Sequence, residues 1–216
     1  MFKVISYIVG LVVIGYLSFH YPLFAFVLLA VLGLILIYVF IAAIVRLLGK
    51  TIRGKWFYLP LSLIGMILFG LIISLMAPLE EPVIQTGNVS EELAYAYQMD
   101  QGDRKNLKFF LGAYRSTMKE RDSTRLNQVI QLIRNDKQDG GMDSFHAAFV
   151  LHHNPARDST LYRQAHNLAK QAASEPSLAD NFQVQWLSKA TYDRWMLSIG
   201  KEQKYDTQGG VSFEIK

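Results

Sequence analysis

An uncharged, almost wholly apolar run at residues 23–45 constrains this chain more than any other feature. A helix needs about 20 such residues to cross a bilayer core. Residues 58–79 form a second run of this kind, and residues 4–20 form a shorter one. We therefore expect three membrane spans, at about 4–20, 23–45 and 58–79. A cleaved signal peptide is the alternative for residues 4–20, but no small-residue cleavage site follows them.

The charges of this apolar region indicate its orientation in the membrane. Its charged residues are all basic, and four of the five lie between the second and third spans. The positive-inside rule places that loop and the N-terminus in the cytoplasm. In a bacterium the chain is then a multi-pass protein of the inner (cytoplasmic) membrane, and its C-terminal domain is periplasmic or extracellular. The inverted topology stays an alternative, because the rule is a bias. The five residues are Lys3, Arg46, Lys50, Arg53 and Lys55.

Composition excludes several classes of function. The three spans contain no Asp, Glu, Lys or Arg, which argues against a pump or a secondary transporter. From residue 80 onward the chain has 17 Lys and Arg and 18 Asp and Glu. With charges so nearly balanced, no basic surface for nucleic acid is expected. The absence of cysteine excludes disulfides, thiol nucleophiles and Cys-ligated zinc. The expected partners are the lipid bilayer and an unknown polar ligand or protein, with homo-oligomerisation through the spans left open.

Helical periodicity dominates the rest of the chain. We expect a membrane region at 1–80, a linker at 81–92 and an all-α domain of five or six helices at 93–216. One amphipathic stripe recurs at the i, i+3, i+4, i+7 and i+11 positions typical of a helix. Its members are Leu107, Phe110, Leu111, Tyr114 and Met118.

Two polar residues fall on apolar helical stripes. His153 follows His146 and Phe149 at helical spacing, and Asp193 follows Trp186 in the same way. Because a buried charge needs a partner, we expect a hydrogen bond between His153 and Asp193. This pair would either join two helices or form a catalytic base oriented by a carboxylate. A metal site using His146, His153, His166 and Asp193 is not expected, since the spacing of His146 and His153 exceeds that of zinc-binding helices.

Three segments resemble a bacterial domain family of unknown function. They are "DQGDR", "AAFVLHH" and "YDRWMLSIGKEQKYDTQ". Members of that family carry Asp-Gln-x-x-Arg, Gln-His, Asp-Arg and a closing Gln-x-Tyr-Gly-Thr-Gln. Two positions depart from this pattern, since His152 replaces the usual Gln and Asp206 replaces the usual Gly. The resemblance implies a polar set of Asp100, Gln101, Arg104, His153, Asp193, Arg194, Gln203, Tyr205, Thr207 and Gln208.

The sequence leaves three functions open. The first is a membrane protein that displays a helical domain binding a ligand or a partner, with no cofactor. In that case the polar set other than His153 and Asp193 would bind the ligand. The second is a membrane-tethered hydrolase or transferase that uses the His153–Asp193 pair. The third is a membrane effector gated by the helical domain, which predicts toxicity when residues 1–80 are overexpressed alone.

Overall fold

The computed structural model describes residues 2–48, 54–135 and 140–209. Within these residues the protein has eight α-helices, three short 3-10 turns and no strand. The predicted all-α class is therefore confirmed. The centre of the basic loop, 49–53, and the last residues of the predicted domain, 210–216, lie outside the described residues.

The first three helices are α1 (Phe2–His20), α2 (Phe24–Leu47) and α3 (Lys55–Met76). By length and composition, α2 and α3 can each cross a membrane, whereas α1 is a shorter apolar helix. Many large apolar side chains of these helices point outward, and Leu34 and Phe40 are each 67% exposed. The core helices of a soluble protein would bury such residues.

Small residues form the closest contacts between these three helices. A Cβ atom added to Gly70 of α3 would lie 2.5 Å from Ile14 Cγ2 and 2.7 Å from Leu28 Cδ1. It would also lie 3.0 Å from Oγ of Ser18, which is buried. Helices associate closely in lipid where small residues let their backbones approach. Gly70 therefore marks the place where α1, α2 and α3 meet.

The chain forms two compact units, each made of two segments. The N-terminal unit comprises residues 1–79 and 104–114, and the C-terminal unit comprises residues 80–103 and 115–216. In the sequence, the shorter segment of the N-terminal unit separates two helices, α4 (Val89–Arg104) and α5 (Arg115–Asn135).

Residues 107–114 correct one prediction from the sequence. They form two 3-10 turns, Leu107–Phe110 and Gly112–Tyr114, and not the first part of an amphipathic helix. The Asn106 side chain caps the first turn by accepting a hydrogen bond of 3.0 Å from the Lys108 backbone N–H. Residues 107–114 belong to the N-terminal unit. The helical spacing of their apolar side chains therefore does not correspond to a helix packed on the core of the C-terminal unit.

Five α-helices build the C-terminal unit. They are α4, α5, α6 (Gly141–His152), α7 (Ser159–Ala173) and α8 (Phe182–Ser198). Helix α6 packs against α5, α7 and α8 and is buried along most of its length. Residues 145–151 of this helix are apolar except for His146, as expected of a central core helix. Asp158 and Asn181 cap α7 and α8 by accepting hydrogen bonds from the first backbone N–H groups of each helix.

The segment predicted as a linker is bound to helices of the C-terminal unit. Its carbonyl groups accept side-chain hydrogen bonds, and the buried Glu92 carboxylate accepts two of its backbone N–H groups. Residues 80–87 therefore follow α4 and α5 as an extended chain. The carbonyl bonds are Arg121 Nη1 to Glu80 (2.6 Å), Tyr95 Oη to Glu81 (2.9 Å) and Gln128 Nε2 to Ile84.

Candidate functional site

His153 follows the last residue of α6, where the helix ends. Its Nδ1 lies 2.8 Å from Oδ2 of Asp100, a residue of α4 that is 1% exposed. The Gln101 amide donates to the same carboxylate oxygen at 2.9 Å. The His153 side chain remains 20% exposed. A buried carboxylate therefore orients a histidine that reaches the surface, since the partner of one ring nitrogen fixes the ring orientation.

The predicted hydrogen bond between His153 and Asp193 is wrong. Asp193 of α8 is fully buried, and its carboxylate accepts from the segment that follows α8. The donors are the backbone N–H groups of Lys204 (2.8 Å), Tyr205 (3.0 Å) and Thr207 (3.0 Å) and the hydroxyl of Thr207 (2.8 Å). Helical spacing placed Asp193 correctly on the buried side of α8. Its hydrogen-bond donors lie in residues 204–207, which have no helical spacing that could have predicted them.

These donors keep the Asp193 carboxylate charged. Burial alone raises the pKa of Asp193, but the hydrogen bonds from Thr207, Tyr205 and Lys204 together lower it by more. The pKa of Asp193 therefore lies below its ordinary value. The carboxylate organises residues 204–207 and is enclosed by them, so its position suits a structural role better than a catalytic one.

Arg194, the next residue of α8, connects the two groups of polar residues. Its Nε donates to Oε1 of Gln208 at 2.7 Å, and its Nη1 donates to the His152 carbonyl at 3.1 Å. A cation is favoured there, because the carbonyl groups at the end of α6 are partly negative. Gln208 is 4% exposed and donates to the Ala190 carbonyl at 3.2 Å. Arg194 thus joins residues 203–208, named here the closing segment, to the end of α6.

The rest of the closing segment forms a turn on the surface. The Gln203 side chain accepts from the Gln208 N–H at 3.1 Å and donates to Asp206 at 3.1 Å. The Tyr205 ring is 41% exposed and packs edge-on against Tyr192, with the ring centroids 5.8 Å apart. Asp206 has φ = 54°, so this turn adopts the left-handed conformation that glycine accepts most easily. Asp tolerates that conformation better than most other residues.

Arg104 differs from the other predicted site residues in the unit to which it belongs. It ends α4 and belongs to the N-terminal unit, whereas the rest of the set belongs to the C-terminal unit. Its guanidinium carbon lies 5.4 Å from the centre of the Phe109 ring, within the range of a cation–π interaction.

The remaining histidines of the C-terminal unit pack against aromatic rings. His146 stacks on Tyr97 with ring centroids 4.9 Å apart, and His166 stacks on Trp195 at 5.8 Å. Burial lowers the pKa of both imidazoles, although Asp143 partly opposes this shift at His146. Across the described residues, no three metal-ligating side chains come together.

A buried ionic cluster was missed by the sequence analysis. Asp103 of α4 accepts two hydrogen bonds from Arg121, at 2.8 and 3.0 Å, and one from Arg125, at 2.7 Å. Arg125 is fully buried and also pairs with Asp122. The sequence held a signal for this cluster, because both arginines share one helical face with Met118 and Val129.

The chain matches no protein-family model, no curated protein and no solved structure. The resemblance to a bacterial domain family therefore stays a prediction that rests on the quoted motifs.

Proposed function

We propose that this protein is anchored in the bacterial cytoplasmic membrane by α1–α3. The C-terminal unit would bind a polar ligand or a protein partner outside the cytoplasm. The exposure of large apolar side chains on the three helices carries the first part of this proposal, because water disfavours such a surface. The basic residues between α2 and α3 support the orientation.

Cysteine labelling tests the orientation directly, because the chain contains no cysteine. Ser177 is an exposed residue of the C-terminal unit, and Gly54 is an exposed residue at the start of α3. In intact cells, a membrane-impermeant maleimide should label Ser177→Cys but not Gly54→Cys. After permeabilisation both variants should react, which controls for accessibility. Labelling of Gly54→Cys alone in intact cells would place the C-terminal unit in the cytoplasm.

The end of α6 supports the second part of the proposal. There Asp100 orients the partly exposed His153, and Arg194 donates a hydrogen bond to the carbonyl of the preceding residue, His152. Pockets that bind polar ligands use a few oriented polar groups of this kind. Asp193, Thr207 and Gln208 would then support the site without contacting the ligand, because their polar groups bond to one another and to α8.

Binding is tested by thermal unfolding of the full-length protein with soluble peptidoglycan fragments. A ligand should raise the unfolding temperature of the C-terminal unit, and His153→Asn should abolish the increase. Asn127→Ala, at an exposed position of α5, is the matched control and should keep it. A shift that survives in His153→Asn would contradict a site at the end of α6.

The His153–Asp100 pair also favours a second candidate, a membrane-tethered hydrolase or transferase. A carboxylate bound to one imidazole nitrogen is the arrangement that orients a general base. The orienting residue would be Asp100 and not Asp193. The full-length protein should then hydrolyse p-nitrophenyl acetate or phosphate, and His153→Asn should remove the activity without loss of helix content. Activity that persists in His153→Asn would exclude this candidate.

A further inference from the structure

We propose that residues 107–114, named here the aromatic turn, insert into the lipid–water interface and bind phospholipid there. This inference rests on the proposed membrane anchoring of α1–α3. It concerns a segment that comes from the middle of the chain, well after the third span, and that sequence periodicity assigns to a soluble domain.

The aromatic turn is attached to the ends of two membrane helices. Near the start of α2, the Phe26 ring contacts the Phe110 ring edge-on, with the ring centroids 5.6 Å apart. At the end of α3, Lys108 Nζ donates to the Ala77 carbonyl, and the Tyr114 hydroxyl lies 3.4 Å from the Leu75 carbonyl. The start of α2 and the end of α3 lie at the same side of the membrane if both helices cross it.

Lys108 has a position that suits the interface. It is 5% exposed, and its ammonium group bonds to a carbonyl beyond the last turn of α3. Helix C-termini leave carbonyl groups without partners inside the helix, and a cation there is favoured by the helix dipole. Near lipid a carbonyl without a hydrogen-bond partner is strongly unfavourable, so this bond would allow α3 to end close to the hydrocarbon.

The outer side of the aromatic turn is apolar and exposed. Phe110 is 62% exposed and Phe109 is 37% exposed, although both belong to a folded unit. The end of α1 and its connection to α2 add Phe19, Tyr21 and Leu23, which are 47%, 55% and 56% exposed. Aromatic residues concentrate at both membrane interfaces. This surface continues the apolar surface of the helices, so phospholipid is the occupant that fits it.

A second aromatic group lies at the opposite end of α3. Trp56 and Tyr58 are 57% and 73% exposed, and Trp56 begins the membrane-compatible part of the helix, Trp56–Met76. At 1.5 Å per residue this part is about 30 Å long, which equals the thickness of a typical hydrocarbon core. The aromatic turn is bonded to the far end of that length. The aromatic turn therefore lies at the depth of the membrane–water interface opposite to that of Trp56 and Tyr58.

Spin labelling tests this proposal on the full-length protein in vesicles of phosphatidylethanolamine and phosphatidylglycerol. Single cysteines replace Phe110, Leu34 in the middle of α2, and Ser177 in the C-terminal unit. The ratio of accessibility to oxygen and to a nickel chelate reports depth. We expect the ratio to be highest at Leu34→Cys, lowest at Ser177→Cys, and clearly above Ser177→Cys at Phe110→Cys.

The possible outcomes separate the two proposals. If Phe110→Cys matches Ser177→Cys while Leu34→Cys is lipid-exposed, the aromatic turn lies in water and this inference is overturned. If Leu34→Cys is also water-exposed, the membrane anchoring itself fails. Because Phe110→Cys removes the contact with Phe26, Phe109→Cys provides a second position that keeps Phe110. A water-like ratio at Phe109→Cys as well would confirm that the turn does not reach lipid.

Discussion

The two units of this protein use apolar and small residues in opposite ways. In the N-terminal unit large apolar side chains point outward, and glycine and serine lie where the helices meet. In the C-terminal unit apolar side chains surround α6, and most charged side chains lie outside. In the proposed membrane setting, lipid would remove the hydrophobic driving force between helices, and close backbone approach would replace it. In water the same residues drive the formation of a core.

The units also differ in how they bury polar groups. The C-terminal unit encloses Arg125 and Asp193 completely and gives each a charged or backbone partner. The main buried polar side chains of the N-terminal helices are the neutral Ser18 and Ser74. We therefore expect the largest mutational effects at the buried charges of the C-terminal unit, smaller ones at the helix contacts of the N-terminal unit, and the smallest at the half-buried stack of His146 on Tyr97 in the C-terminal unit.

The largest effect is expected for Asp103→Ala. This change leaves Arg121 and Arg125 buried without their shared carboxylate, and breaking a buried ion pair costs about 3–5 kcal/mol. The free energy of unfolding of the C-terminal unit, followed by tryptophan fluorescence in urea, should fall by that amount. Asp180→Ala, at an exposed position, is the control. A loss below about 1 kcal/mol would mean that the cluster contributes no more than a surface pair.

Asp193→Asn should follow with a loss of roughly 1.5–3 kcal/mol, the range for hydrogen bonds to a charged group. The Asp193 carboxylate accepts hydrogen bonds from backbone N–H groups of this segment. The side-chain NH2 of Asn is itself a donor and cannot accept them, so residues 204–207 should detach. Urea unfolding measures the loss, and Glu202→Gln, at an exposed position, is the control. Equal stability of the two variants would contradict the structural role of Asp193.

Asp193 also predicts part of the acid sensitivity. Its pKa is lower in the folded protein than in the unfolded chain, so the unfolded chain binds the proton more readily. The stabilisation is complete above the ordinary carboxyl pKa and is lost as the pH falls through the lower folded value. Asp193→Asn should therefore lose less stability than the unmodified protein in that acidic range. A parallel decline of both proteins would contradict this assignment.

In the N-terminal unit, Gly70→Leu should weaken the packing of α1–α3 by about 1–3 kcal/mol, as overpacking does. Gly65→Leu is a matched control in the same helix, because nothing lies within 4 Å of a Cβ atom at Gly65. Unfolding in sodium dodecyl sulfate, followed by circular dichroism, compares the two variants. Similar behaviour of both would mean that the close contact at Gly70 is not needed.

The smallest effect is expected for His146→Phe. Burial lowers the pKa of His146 in the folded state, so the unfolded chain binds its proton first as the pH falls below about 6.5. Stability is therefore fully present above that pH and declines through the window below it. Phenylalanine keeps the ring stacked on Tyr97 and should flatten this decline. An unchanged slope would show that other groups cause it.

Periodicity and hydropathy predicted the helical class and the two long apolar helices, because both depend on local pattern alone. They failed at residues 107–114, where the spacing of Leu107, Phe110 and Tyr114 fits a helix but the chain makes 3-10 turns. They also placed His153 and Asp193 on buried faces and then gave them the wrong partners. Local spacing predicts which side of a helix is buried, whereas the hydrogen-bond partner of a buried residue depends on how segments distant in the sequence pack together.

The N-terminal unit is built from two separate segments of the chain, which has a consequence for gene fusion and for proteolysis. Because residues 104–114 belong to that unit, the backbone passes between the two units at three points, after residues 79, 103 and 114. A gene fusion with one junction near residue 80 would carry the aromatic turn away from the helices that hold it. A single protease cut within 80–88 would release α1–α3 as a separate polypeptide, while residues 104–114 would stay covalently attached to the C-terminal unit. The two units are therefore not exchangeable modules, and recombination has to move them together.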